Sequence, residues 1–594
     1  MAGQKEMFIK GGSFIIDDIQ PEQMFTPEDL TEEQQMIAKT TEDFVEKEVL
    51  PVLDQLENQE FDIAVKLLKH AGELGLLGAD IPEDYGGLGL DKVTSALIGE
   101  KMAKAGGFSI SHGAHVGIGS LPVVLFGTEE QKKKYLPRLA TGEIIAAYAL
   151  TEPDSGSDAL SAKTTARLNE AGTHYILNGE KQWITNAGFA DLFIVYAKVD
   201  GEKFTAFIVE RDFPGVSAGP EEKKMGIKSS STRTLILENV LVPVENVLGE
   251  IGRGHVIAFN ILNIGRYKLG AGAVGGAKAA FETTVKYAKE RKQFGRRIAD
   301  FPLTKEKFGT LAAELYAAES SVYRTVGLFD ERLGNLPEEK INDGGEMAKS
   351  IAEYAIECSL NKVFATEMLD HVVDEGVQIH GGYGYMQDYE IERAYRDSRI
   401  NRIFEGTNEI NRLLVPGMYV KKALKGELPI FEKAQQLQEE IMMLMPEDPG
   451  DEPLAREKYL VKNAKKISLM AAGLAIQRFG EKIEEEQEML VNIADIVSYT
   501  YAMESAVIRT EKAIYRTGLE KNKQKLLYTE IFVREAIRRI EEDAKETIIA
   551  VSNGDHTRLM LSALRKLTRQ EPLNMIPKKR EAADQIIAAG KYIV

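Results

Sequence analysis

HYILNGEKQWITNAG (174–188) decides the fold, because it breaks the texture of everything around it. β-Branched and aromatic residues alternate with polar ones, and Asn178-Gly179 is the dipeptide most favoured in two-residue hairpin turns. Downstream, DLFIVYAKV (191–199) and KFTAFIVER (203–211) flank Asp200-Gly201, a second turn signal, and TRTLILENVLVP (232–243) is a further strand run. Residues 149–254 therefore read as a β domain, and its flanks read as helix. Upstream, TEEQQMIAKTTEDFVEKEVLP (31–51) spaces apolar residues three and four apart behind a Thr start and stops at Pro51. The pattern continues to about Tyr148, broken by the loop IPEDYGGLGLD (81–91). After Gly254 the helical period returns, with a long helix expected from about Tyr267 to Lys292 and others in 303–375 and 388–400. The acidic, proline-rich MPEDPGDEP (445–453) reads as a linker or long loop, and 454–590 is helical again. The expected fold class is α+β and multidomain: an N-terminal α-helical domain (1–148), a middle antiparallel β domain (149–254), a C-terminal α-helical domain (255–428) and an additional helical domain (429–594).

Composition narrows the function. The chain has 594 residues, a formal charge of −18 and one cysteine, Cys358. An acidic balance argues against nucleic acid as a partner. A single cysteine excludes an internal disulfide, a thiolate zinc site and an iron–sulfur cluster held by this chain alone. Residues 1–30 carry acids and only a short apolar patch, unlike a targeting peptide, and no apolar run was expected to reach bilayer length. A soluble, cytoplasmic protein is the expectation.

Two short motifs mislead. Gly270-Ala271-Gly272-Ala273-Val274-Gly275 fits the dinucleotide pattern, yet no strand precedes it and alanines surround it, so close helix packing is the better account. Gly215-Val216-Ser217-Ala218-Gly219 fits the hydrolase elbow, but Pro214 and Pro220 bracket it, and a surface loop is expected. His112 and His115 lack acidic or thiol partners at ligand spacing and read as structural.

The chemistry is carried by motifs spread over some 250 residues: YALTEPDSGSDA (148–159), KQWITNAG (181–188) with the only tryptophan, GRYKLGAGAVGGA (265–277), KERKQFGRRI (289–298), QIHGGYGYMQD (378–388) and RIFEGTNEINRLL (402–414). Glu405, between Ile403-Phe404 and Gly406-Thr407, is a carboxylate beside apolar residues and a glycine. Desolvation there would raise its pKa toward that of a general base.

In this order and spacing the motifs resemble the acyl-CoA dehydrogenase family, flavoenzymes that introduce an α,β double bond into acyl-CoA thioesters. The resemblance covers about residues 35 to 425 and makes the 255–428 region a four-helix bundle. The further lobe at 430–594 looks most like the very-long-chain acyl-CoA dehydrogenases and bacterial fatty-acid degradation relatives. The resemblance implies FAD as cofactor and Glu405 as the base that takes the pro-R α-proton. It puts Tyr148, Leu150, Thr151, Gly156, Ser157, Trp183, Ile184 and Thr185 along the flavin, with Ser157 also touching CoA. It sends Arg291, Gln293, Phe294, Gln378, Gly381 and Gly382 to the FAD of a neighbouring subunit, hence a homodimer. Thr407 and Glu409 would meet the adenosine-pyrophosphate side, and Asn263, Arg266, Phe404 and Gly406 would steady the substrate and the Glu405 loop. Some relatives carry the base near residue 265, where this chain has Gly265-Arg266, and Pro302 stands where some offer the cofactor a glutamine.

The function so implied is the first step of fatty-acid β-oxidation: dehydrogenation of acyl-CoA, with a long-chain preference, to trans-2-enoyl-CoA, the reduced FAD being reoxidised by electron-transfer flavoprotein. Gly113, Gly117 and Gly119 are expected to leave room for a long tail. An acyl-CoA oxidase and a non-catalytic assembly scaffold are the alternatives. The amphipathic stretch 458–482 reads as a bundle helix, with peripheral membrane contact as its other reading.

Overall fold

The computed structural model describes residues 8–341, 343–443 and 447–594. The N-terminal lobe is helical, and the helix that matters most for the site is α1 (Lys92–Met102), capped by the Asp91 carboxylate accepting from the Thr94 N–H at 2.6 Å. Gly107–Phe126 is a 20-residue helical run with a mean hydropathy of 1.2, contrary to the expectation that no segment is long and apolar enough to cross a bilayer. Most of it is buried within the protein, as expected of a core helix. His112 Nε2 lies 3.1 Å from the Leu76 carbonyl, and His115 bonds the Leu139 carbonyl through one ring nitrogen and the Ala146 N–H through the other. Burial holds both imidazoles well below their ordinary pKa, so they are neutral structural groups, as the sequence implied.

The β domain is one sheet of eight strands: β1 (Ala146–Ala149), β2 (Thr165–Leu168), β3 (His174–Thr185), β4 (Leu192–Val199), β5 (Lys203–Glu210), β6 (Val216–Ala218), β7 (Thr232–Pro243) and β8 (Val247–Leu248). Its order is β6-β7-β3-β2-β4-β5-β8, with β1 also paired to β4. The sheet is mixed rather than purely antiparallel, because β1 and β2 both run parallel to β4.

Three local expectations change. Asn178-Gly179 is not a turn: both residues lie inside β3, at a register shift between Leu177 and Gly179 against β7. A Cβ on Gly179 would come within 2.4 Å of Thr164 Oγ1, so the glycine serves close approach in a bulge. Asp200-Gly201 is a turn, but it carries three residues, since Val199 pairs with Lys203. The Gly215–Gly219 stretch is a short edge strand, β6, where a loop was expected. It pairs with β7 and no helix follows, so it is not a nucleophile elbow.

Four helices form the bundle behind the sheet: α2 (Gly254–Glu290), α3 (Pro302–Gly334), α4 (Ala355–His380) and α5 (Asn408–Leu424). α2 starts thirteen residues earlier than its expected start at Tyr267, since Ile257, Ala258, Ile261 and Ile264 continue its buried face toward the N-terminus. Pro302 occupies the first turn of α3, where its missing N–H costs nothing. The Gly270–Gly275 run lies wholly inside α2 as a packing feature. A Cβ on Gly275 would fall 1.9 Å from the Glu100 carbonyl of α1.

The last lobe is a second bundle in which α6 (Ala455–Phe479) packs on α7 (Gln487–Thr517) and α8 (Lys523–Val551), and α7, α8 and α9 (Met575–Ala589) pack against the first. Buried ion pairs join the two: Arg324–Glu504 at 2.8 Å and Arg509–Glu319 at 2.7 Å. The apolar stripe of α6, with Leu460, Ile467, Met470 and Leu474, is buried in this bundle. Before it, Met445 and Pro446 of the expected linker lie outside the described residues, and Glu447–Gly450 has no regular structure.

The α1–α2 contact yields a stability test. Gly275→Ala must push two backbones apart and is expected to cost on the order of 1–3 kcal/mol in chemical denaturation, with Gly272→Ala, whose Cβ meets no atom within 4 Å, close to neutral.

Candidate active site

Glu405 sits where the chain leaves a short helical turn (Arg399–Arg402) and enters α5. Glu405 and Gly406 are both left-handed, with φ of 56° and 79°. Glycine adopts this freely, but a glutamate does so at a cost of about 1 kcal/mol or more, so the surroundings must impose it. Thr407 then caps α5, its hydroxyl accepting from the Ile410 N–H at 3.2 Å.

What imposes the turn is a set of donors aimed at its carbonyls. Asn411 Nδ2 donates to Gly406 O at 2.8 Å and Thr407 O at 3.0 Å. Lys362 Nζ, from α4, donates to Gly406 O at 2.8 Å. Arg266 Nε, from α2, reaches Glu405 O at 3.4 Å, and its Nη1 is steadied by Asn263 Oδ1 at 3.0 Å. The Glu405 N–H finds no acceptor among the described residues.

The turn swings the carboxylate over α2 at its side-chain-free position. A Cβ on Gly265 would fall 2.2 Å from Glu405 Oε2, so only glycine leaves the niche open. Oε2 is buried without a hydrogen-bond partner. Burial pushes the Glu405 pKa up to about 7, against the pull of Arg266 and Lys362. A carboxylate that is desolvated, unpartnered and half-titrated at neutral pH is poised as a general base.

The carboxylate faces a cavity of about 290 Å³ whose walls include Phe404, Thr185, Leu269, Ala273 and Ile98. Gly265 and Thr283 both line it, so it follows some 18 residues of α2, about 27 Å of helix. Gly113 and Gly117 line it too, and a Cβ on Gly113 would meet no atom within 4 Å. Gly119 does not belong with them: a Cβ there would fall 2.7 Å from the Ala146 side chain, so it packs the helix against β1. One wall holds a closed polar cluster, with Asp80 bound to Lys92 and Lys268 at 2.6 Å each.

The remaining predicted residues fall into three groups. Tyr148 packs its ring edge-on to Tyr196 at 5.4 Å, and its buried hydroxyl has no hydrogen-bond partner among the described residues. Burial, with Glu405 nearby, holds that phenol well above its ordinary pKa. Leu150 and Ile184 are buried, and the Thr151 carbonyl ties back to the Gln182 N–H at 2.9 Å. Trp183 is thrown outward by a second register shift in β3, with φ of 58° and 59% of its surface exposed. Gly156 and Ser157 are exposed in the stretch between β1 and β2.

A second group, Arg291, Gln293, Gly381 and Gly382, lines a shallow pocket with Tyr287, His380 and Tyr383, the Arg291 guanidinium lying 5.3 Å from the Tyr383 ring centre. Phe294 is 92% exposed and, like the exposed Gln378, is not part of that lining. In the third group, Thr407 serves as a cap and Glu409 stands exposed in the first turn of α5. Lys362, Asn411 and the Gly265 niche were not foreseen. A lysine flanked by Leu360 and Val363 in an apolar helix was the signal available for the first.

Residues 31–143 match the acyl-CoA dehydrogenase N-terminal domain, 147–240 its middle domain, and 252–416 and 463–566 acyl-CoA dehydrogenase C-terminal domains. A Bacillus subtilis (strain 168) protein named "Probable acyl-CoA dehydrogenase" is 70% identical over 585 residues, 98% of each chain. The Bos taurus mitochondrial very long-chain specific acyl-CoA dehydrogenase is 40% identical over 415 residues, 68% of this chain and 60% of its own length. The crystal structure of an acyl-CoA dehydrogenase from Bacillus anthracis, complexed with FAD, has a TM-score of 0.97 at 71% identity and covers 99% of this chain and 100% of that one.

The Glu405 environment makes a prediction that needs no substrate. Its folded pKa of about 7 exceeds the ordinary 4.5, so the native state holds the proton more tightly and stability falls as pH rises between those values. Glu405→Gln removes that penalty. Its stability relative to wild type is expected to rise across this window by on the order of 3 kcal/mol and to level off above it, measured by denaturant unfolding at several pH values.

Proposed function

This chain belongs to the acyl-CoA dehydrogenase family of oxidoreductases, and from that premise we propose that it dehydrogenates long-chain acyl-CoA with Glu405 as the base. The observation that carries the proposal is the unpartnered Glu405 carboxylate held over Gly265 at the end of the glycine-lined cavity.

The cofactor is FAD, and the residues present fit it. Trp183 offers an exposed ring, Thr185 lines the cavity wall that Glu405 shares, and Tyr148 carries a buried hydroxyl with no partner. A Cβ on Gly156, Gly381 or Gly382 would meet no atom within 4 Å, which leaves backbone open to close approach. Tyr148, Thr151, Ser157, Trp183 and Thr185 would hold the flavin, and Thr407 with Glu409 its adenosine-pyrophosphate side. Arg291, Gln293 and Gly381-Gly382 would hold the FAD of a second copy in a homodimer. When bound, FAD supplies the acceptor for the β-hydride.

The chain's own residues do the rest. Glu405 takes the α-proton, and its uncommitted N–H donates to the thioester oxygen as negative charge develops there. Such a preorganised donor is worth about 3–4 kcal/mol in a dry site. Arg266 and Lys362 hold the loop, and the apolar walls exclude water, which strengthens both effects. Gly113, Gly117 and Gly272 widen the cavity for a long tail. The reaction fits the opening step of fatty-acid β-oxidation, with electron-transfer flavoprotein as the acceptor of the electrons.

Anaerobic bleaching of the purified flavoprotein by acyl-CoAs of graded length tests this reading. Wild type is expected to bleach fastest with long chains, and Glu405→Gln to keep its yellow cofactor while bleaching about 10²–10⁴-fold more slowly. Bleaching of Glu405→Gln at the wild-type rate would overturn the base assignment. Peroxide formed in air in step with turnover would favour an oxidase.

A further inference from the structure

Lys362 is a lysine with no exposed surface, placed within the N-terminal third of α4. A buried ammonium is expensive unless paired, and here no carboxylate among the described residues lies in direct contact with it. Its two acceptors are the Gly406 carbonyl at 2.8 Å and Asn408 Oδ1 at 2.7 Å. Burial lowers its pKa to about 7, with Glu405 pulling the other way.

The second acceptor leads away from the site. Asn408 Nδ2 donates to Glu367 Oε1 at 3.0 Å, and Arg412 grips both Glu367 oxygens at 2.7 and 2.8 Å. Arg412 Nε then reaches Asp495 Oδ1 at 2.7 Å, and Asp495 lies on α7 in the last lobe. A continuous polar chain thus runs from the base loop to the appended helices.

We propose that Lys362, backed by Asn408, Glu367, Arg412 and Asp495, is a positioning residue through which the last lobe holds the left-handed Glu405–Gly406 turn over Gly265. The inference rests on reading Glu405 as the base. Losing the ammonium would leave Gly406 O with Asn411 alone and relax the strained turn. It would also remove one of the two cations that hold down the Glu405 pKa. The charged and titratable groups facing Glu405 are Arg266 on α2, Lys362 on α4 and Tyr148 on β1. Those facing Lys362 are Glu405, Arg266, Glu367 and Glu409.

The test compares Lys362→Met, Asp495→Asn and Glu405→Gln with wild type, as full chains with FAD bound. Flavin content, the hexadecanoyl-CoA concentration for half-saturation and the anaerobic bleaching rate are read against pH. Lys362→Met is expected to keep FAD and half-saturation within about twofold, to bleach at least about tenfold more slowly, and to move the pH midpoint up by about one unit. An unchanged rate and midpoint would overturn the proposal. If Lys362→Met does not fold, Asp495→Asn decides: a bleaching rate reduced about two- to fivefold at unchanged FAD content and half-saturation supports the chain, and an unchanged rate overturns it. Glu405→Gln separates the two readings. Rapid bleaching by that variant defeats the base assignment itself, whereas slow bleaching by it with an unaltered Lys362→Met profile defeats only this inference.

Discussion

A carboxylate with no partner, held over a glycine, is the constraint around which the site is organised. Water would solvate Glu405 far better than this niche does, and the group answers by retaining its proton up to about pH 7. The conformation that places it there is itself unfavourable for a residue with a side chain. Both burdens are offset by donors fixed on three different helices: Arg266 on α2, Lys362 on α4 and Asn411 on α5. The bundle therefore acts on the chemistry through the carbonyls of one turn. It leaves the carboxylate itself free.

The same logic explains features far from the loop. Gly265 is open because α2 crosses beneath the turn, and Gly275 brings α2 against α1 so that both can wall one cavity. The two register shifts in β3, both against β7, serve different contacts. One admits Thr164 against Gly179, and the other turns Trp183 out of the ladder. The appended lobe is joined to the bundle by buried arginines, Arg324 and Arg509, and by Arg412, whose other partner, Glu367, connects to the Gly406 carbonyl through Asn408 and Lys362. Removing one partner of such a buried pair is strongly destabilising, because it leaves the other charge buried and uncompensated.

Much of this was legible in the amino-acid order. The strand runs, the helical flanks and the carboxylate of the EGT motif each carry their signal within a dozen residues. What failed was local inference where tertiary contacts decide. Asn178-Gly179 has the best hairpin propensity in the chain, yet Thr164 and β7 hold it extended. Gly117 and Gly119 look equivalent, but one faces the cavity and the other Ala146. Lys362, 43 residues from Glu405 in sequence, and Gly265, 140 away, meet it only in the fold. No short-range pattern reports such encounters.

The central claim is that the ionisation of Glu405 in its niche controls proton removal. The most direct measurement is the pH dependence of anaerobic flavin bleaching by a saturating long-chain acyl-CoA in the wild-type protein. The account predicts a rate that rises through a single ionisation near pH 7 and then levels off. A rate flat through that range, or one that rises only near the ordinary carboxylate pKa of 4.5, would contradict it.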